Sequence, residues 1–126
     1  MNKHTTASKN RHGLEVISGT APGTLAIDPA APKPVIRAFT YGPDDFAEKE
    51  IQSPAELRPL LEAWPVVWVN VDGLGDERVL KELGEVFDLH RLALEDVVNS
   101  GQRPKVELYD NHLFVVARMP LAPGGD

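Results

Sequence analysis

The chain has 126 residues, a net charge of −6, 42% hydrophobic and 25% charged residues, which suits one modest folded domain or a piece of a larger one. Between Asp44 and Asp96, fourteen Asp or Glu stand against five Lys or Arg. This balance disfavours nucleic-acid binding, which needs a basic face to displace counterions from phosphates.

Residues 1–20 are polar and without periodicity, and read as a flexible N-terminal tail. Residues 21–120 carry the folded part, and 121–126 read as a Pro/Gly loop. The stretch from Ala21 to Pro34 is proline-rich, with Thr24–Ile27 alone able to form a short strand. Val35–Tyr41 alternates as a strand, with Val35, Arg37, Phe39 and Tyr41 on one face. Gly42-Pro43-Asp44-Asp45 then reads as a turn, because Pro presets φ and Asp can bond its own backbone. A return strand over Phe46–Gln52 would complete a hairpin. Ser53-Pro54-Ala55-Glu56 starts a helix to about Ala63, with Ser as cap, Pro at the first position and Glu closing a capping box.

Pro65–Val71 is almost continuously apolar, as expected of a central strand covered on both faces. Asp72-Gly73-Leu74-Gly75 is a turn, and Asp76 caps the next helix. Over Glu77–Phe87, Val79, Leu80, Leu83, Val86 and Phe87 form one helical stripe, supported on the solvent side by Glu77 and Lys81. A short helix near Arg91–Asn99 buries Leu94, Val97 and Val98, and Ser100-Gly101 ends it. Lys105–Tyr109 and Leu113–Met119 read as strands joined by a tight turn, Tyr109-Asp110-Asn111-His112, in which Asp and Asn tolerate positive φ. The order of elements predicts an α/β (α+β layered) fold, with a mixed parallel and antiparallel sheet flanked by helices.

Few residues point to chemistry. The chain has no cysteine, which excludes disulfides, thiolate catalysis and Cys-based zinc sites. Gly73-Leu-Gly75 lacks the third glycine of the dinucleotide fingerprint and the Gly-Lys-Ser/Thr of a P-loop, so an ordinary turn is expected. His4, His12, His90 and His112 have no zinc-ligand spacing, and no serine sits in a nucleophile elbow. The chain is therefore not expected to be an enzyme. No apolar core follows the basic residues Lys3, Lys9 and Arg11, so no signal peptide is expected. The longest apolar runs, Pro65–Val69 and Leu113–Ala117, fall far short of the roughly 20 residues that span a bilayer.

Glu95-Asp96 is more informative. Successive helical side chains diverge by about 100°, so these two carboxylates cannot easily clamp one ion together. They could serve two separate sites, each completed by another segment or subunit. Carboxylates suit hard cations such as Mg2+, which takes one or two protein carboxylates and keeps several waters. The alternatives are plain surface acids, or an ion pair from one of them to Arg103 or Lys105.

The run from Phe87 to Asp110, with Leu94-Glu95-Asp96 followed by Gln102-Arg103-Pro104-Lys105-Val106-Glu107 and an aromatic-acidic turn, resembles the CorA-type magnesium and cobalt transporters. Pro22-Gly23-Thr24-Leu25 and the strand Val67–Val71 with Gly73 match as well, so the resemblance covers most of Pro22–Met119. It implies an incomplete α/β/α sandwich, the cytosolic N-terminal domain of a homopentameric channel on the cytoplasmic face of the inner membrane. In that family a stalk helix and two C-terminal membrane helices follow, and Mg2+ bound between neighbouring cytosolic domains holds the pore closed. By position the resemblance implies Asp96 as the main Mg2+-sensing ligand and Glu95 as a secondary one acting through water, with Co2+ a further candidate ion. The partners implied are divalent cations and neighbouring subunits. The sequence contains no stalk, no Gly-Met-Asn pore motif and no opposing acids, so weak Mg2+ binding and a soluble fragment are expected. The alternatives are a stand-alone soluble interaction module, or the same domain of a zinc or nickel transporter.

Overall fold

A computed structural model describes residues 24–124. The expected tail at 1–20, with His4 and His12, lies outside the described residues, as do Pro22, Gly23 and the last two positions. The elements in order are β1 (Val35–Tyr41), β2 (Phe46–Ile51), a 3-10 turn (Pro54–Glu56) leading into α1 (Leu57–Ala63), β3 (Val66–Asp72), α2 (Glu77–Val86), α3 (Arg91–Val98), β4 (Lys105–Leu108) and β5 (Leu113–Val116). This is the α+β class that the pattern predicts. Thr24–Ile27, however, is not a strand. Its Leu25 instead drops into the core, and its backbone N–H donates to the Glu77 carboxylate at 3.3 Å.

Two separate sheets form, ordered β2-β1-β3 and β4-β5. All pairings among the described strands are antiparallel, where a mixed sheet was expected. β3 is also an edge strand rather than a central one. Its apolar run fills both faces, but only Val67, Val69 and Val71 turn inward, opposite Thr40, Ala38 and Ile36 of β1. Trp68 stays 63% exposed on the other face, beside Val66, Tyr41 and Phe46.

The core lies between the inner face of the larger sheet and the helices. Leu25, Ile36, Ala38, Ile51, Leu57, Leu80 and Leu83 form one buried cluster, with Val69, Val71, Val79, Val86, Leu94 and Val98 packed against it. The strand period of two supplies Ile36 and Ala38, and the α2 stripe supplies Leu80 and Leu83.

Local chemistry fixes where the helices begin. The Glu56 carboxylate accepts the Ser53 and Gln52 backbone N–H groups at 2.8 and 2.7 Å. These bonds, Ser53 first, hold its pKa below the usual carboxylate range. Asp76 caps α2 by accepting the Val79 N–H at 3.3 Å. The glycine turn before it is an ordinary turn with a packing reason. Gly73 sits at φ 98°, and Gly75 donates to the Pro32 carbonyl at 2.8 Å. A Cβ on Gly75 would collide with the Ala31 carbonyl oxygen.

The candidate cation site on α3

α3 begins at His90, whose Nδ1 accepts the Leu92 backbone N–H at 3.1 Å. Ala93 is its buried residue, while Leu94 and Val98 pack at the margin of the core and Val97 is half-buried. This face leaves Glu95 and Asp96 on the sides of the helix, and the two carboxylates go separate ways. Glu95 pairs one turn back with Arg91, Nε to Oε1 at 3.8 Å, and its side chain is 41% exposed.

Asp96 points toward the hairpin. Its Oδ2 receives the Lys105 Nζ at 2.8 Å, and its Oδ1 accepts the Gln102 side-chain amide at 2.7 Å. Of the two basic residues weighed as partners, Lys105 is the one bonded to it. The same ammonium donates to Glu107 Oε1 at 2.7 Å, and the Tyr109 hydroxyl donates to Glu107 Oε2 at 2.8 Å. Lys105 Nζ also lies 5.8 Å from the centroid of the Phe114 ring.

The charges are mutually reinforcing. Hydrogen bonds from Lys105, then from Gln102, hold the Asp96 pKa below its ordinary value. Glu107 is likewise lowered, by Lys105 first and by the Tyr109 hydroxyl second. Lys105 is raised by its bond to Asp96 and then by Glu107. The Tyr109 phenol is raised because its proton is held by the Glu107 carboxylate. At neutral pH both carboxylates are therefore ionised and share one lysine cation.

The sequence reading did not anticipate Glu107 or Tyr109. A signal was present, since Lys105, Glu107 and Tyr109 recur at a period of two and so share one face of a strand. What the period could not supply is that this face meets α3. The turn end of the hairpin docks there too. The Asn111 side-chain amide donates to the Asp88 carbonyl at 2.8 Å and to its carboxylate at 3.1 Å. The Tyr109 ring stacks between His90 and His112, both centroids at 4.8 Å. The positive φ expected of the turn's Asp or Asn falls instead on Asp88, at 49°. Among the described residues no group of three or more His, Cys, Asp or Glu converges on a point that could hold a metal.

No protein-family model matches the chain. Among curated proteins, the cobalt/magnesium transport protein CorA of Thermotoga maritima is 32% identical over 107 residues, covering 84% of this chain. The chain belongs to the CorA-type family. It spans 30% of the length of that CorA relative. No helix among the described residues is long and apolar enough to cross a membrane.

Proposed function

We propose that this chain is the N-terminal cytosolic part of a CorA-type transporter of divalent cations, and that it senses intracellular Mg2+ to gate a pore formed by other parts of the protein. Asp96 is the principal cation ligand in this reading, and Glu95 is a secondary ligand acting through water. The observation that carries it is the identity to a cobalt/magnesium transport protein across 84% of this chain.

The chemistry of α3 supports the assignment. Asp96 is partly exposed, with 27% of its side chain accessible, and its lowered pKa keeps it ionised. A single carboxylate with retained waters is a normal share of an Mg2+ site. Since Glu95 and Asp96 diverge, each supplies one side of a site, and neighbouring subunits of a homopentamer supply the other. An ion shared between subunits favours the arrangement in which it is bound, which is how occupancy would bias the pore. Co2+ is the alternative ion, and the protein would lie on the cytoplasmic face of the membrane.

Titration of the chain with Mg2+, followed by amide NMR, tests the site. Saturable shifts centred on α3 are expected, and Asp96→Asn is expected to abolish them. Equal shifts in the Asp96→Asn variant would refute the assignment. In the complete transporter, Asp96→Ala is expected to lose Mg2+-dependent closure while still conducting.

A further inference from the structure

The turn end of the hairpin meets the start of α3 through three stacked rings. Tyr109 lies between His90 and His112, with interplanar angles of 29° and 15°. Hydrogen bonds fix the tautomer of each imidazole. His90 Nδ1 accepts the Leu92 backbone N–H at 3.1 Å, so in the neutral ring the proton sits on Nε2. His112 has the opposite arrangement. The Asn111 amide nitrogen donates to the Asp88 carbonyl and carboxylate, which leaves Asn111 Oδ1 as an acceptor facing His112 Nδ1 at 2.6 Å. Nδ1 is therefore the protonated nitrogen of His112. Its Nε2 is buried and has no hydrogen-bond partner among the described residues.

Each ring thus has one nitrogen left to take a proton, and the closed junction opposes both. A proton on His90 Nδ1 removes the acceptor that caps α3 and puts positive charge at the positive end of the helix. A proton on His112 Nε2 creates a buried cationic donor with nothing to receive it. The charged groups that flank the junction already have partners or lie in water. Asp88 is bound by Asn111, Arg91 pairs with Glu95, and Glu107 is held by Lys105 and Tyr109. Glu85 on the last turn of α2 and Asp110 in the hairpin turn are exposed.

We propose that this junction is a proton-operated latch, closed while His90 and His112 are neutral and opened when both take up a proton. Imidazole is the side chain whose charge ordinarily changes between about pH 5 and 8. Because the closed form excludes these two protons and the open form accepts them, falling pH favours opening. Opening frees the first turn of α3 from its cap and from the Tyr109 ring. Tyr109 keeps its hydroxyl on Glu107, and the Asp96–Lys105 pair stays in place, so the hairpin remains tethered at its other end. The latch stands apart from the reading of Asp96 as a cation ligand. It makes the attachment of α3 depend on proton concentration near neutrality.

The test uses the 126-residue chain, labelled with 15N and titrated at constant ionic strength from about pH 8 to about pH 5. At the alkaline end, long-range 1H–15N spectra of the imidazoles should show the Nε2–H tautomer at His90 and the Nδ1–H tautomer at His112. As the rings gain protons, the NOEs between the Tyr109 ring and both imidazoles should be lost. The Leu92 amide and the Asn111 side-chain amide should move with the same midpoint as the rings. Retained NOEs with both rings protonated overturn the latch, because the stack then tolerates the charge. The same tautomer at both rings at the alkaline end overturns it too.

His90→Asn keeps a capping oxygen that takes up no proton in this range, and His112→Gln removes the second imidazole. The double variant should hold the Leu92 and Asn111 signals steady across the titration. Unchanged movement of these signals in a folded double variant places the titrating group elsewhere and overturns the proposal. Where the double variant fails to fold, the tautomers and NOEs of the unaltered chain decide the matter.

Discussion

Leu57 is the largest fully buried side chain among the described residues. It opens α1 and fills the space between the inner face of the larger sheet and α2. Leu57→Ala is expected to cost about 2–5 kcal/mol, read as a lowered urea midpoint at unchanged slope. Gly75 is a different kind of position, since its hydrogen atom faces the Ala31 carbonyl. Gly75→Ala should lower the melting temperature, because the intruding methyl must push backbone aside. Gly101→Ala, where only the Asn99 side chain lies near, at 3.8 Å, should leave it almost unchanged. Neither residue announces its importance in the sequence. Leu57 reads as one of several leucines at a helix start, and Gly75 as half of a turn. The acidic pair was legible as a candidate site, and Lys105 as a possible partner of it. Glu107 was not, because its meeting with Asp96 depends on how a strand packs against a helix eleven residues earlier.

At the scale of elements, α3 and the hairpin are tied at two points. Asp96 meets Lys105 at one, and at the other Asn111 bonds Asp88 while Tyr109 stacks on His90. The first tie has a defined pH window. Asp96 and Glu107 have lowered pKa values in the folded chain, so their contribution is complete above the ordinary carboxylate range near about pH 4. It is lost as the pH falls through their lowered values. Lys105 is raised, so its contribution is complete below about pH 10 and is lost above its raised value. The side-chain resonances of Asp96, Lys105 and Glu107 are therefore expected to keep their NMR positions through neutral pH and to shift together only as the pH falls below the ordinary carboxylate range. Release of the Lys105 ammonium from Asp96 at a pH above the ordinary carboxylate range would contradict the ion-pair account. The loss in stability should be small, because all three groups remain partly in water. Element types and limits were largely readable here. The capping box, the Asp76 cap and the α2 stripe all rest on neighbours within one or two turns.

For the molecule as a whole, pairing and layering were the least readable features. Alternation says which residues share a face, but not which strand lies beside which. β3 therefore read as central and became an edge, and the expected mixed sheet became two antiparallel ones. The continuous run Val66-Val67-Trp68-Val69 predicts cover on both faces, yet among the described residues only the inner face meets helices. Thr24–Ile27 is not a strand, and its Leu25 is buried in the core instead. The bond between the Gly75 amide and the Pro32 carbonyl closes this architecture, joining the segment before β1 to the loop after β3. That amide lies outside any helix or strand, where protons ordinarily exchange with solvent deuterium quickly. Here it can exchange only when residues 24–34 part from the glycine turn. A lone slow amide in that loop would time the opening of the seam, separately from the unzipping of either sheet.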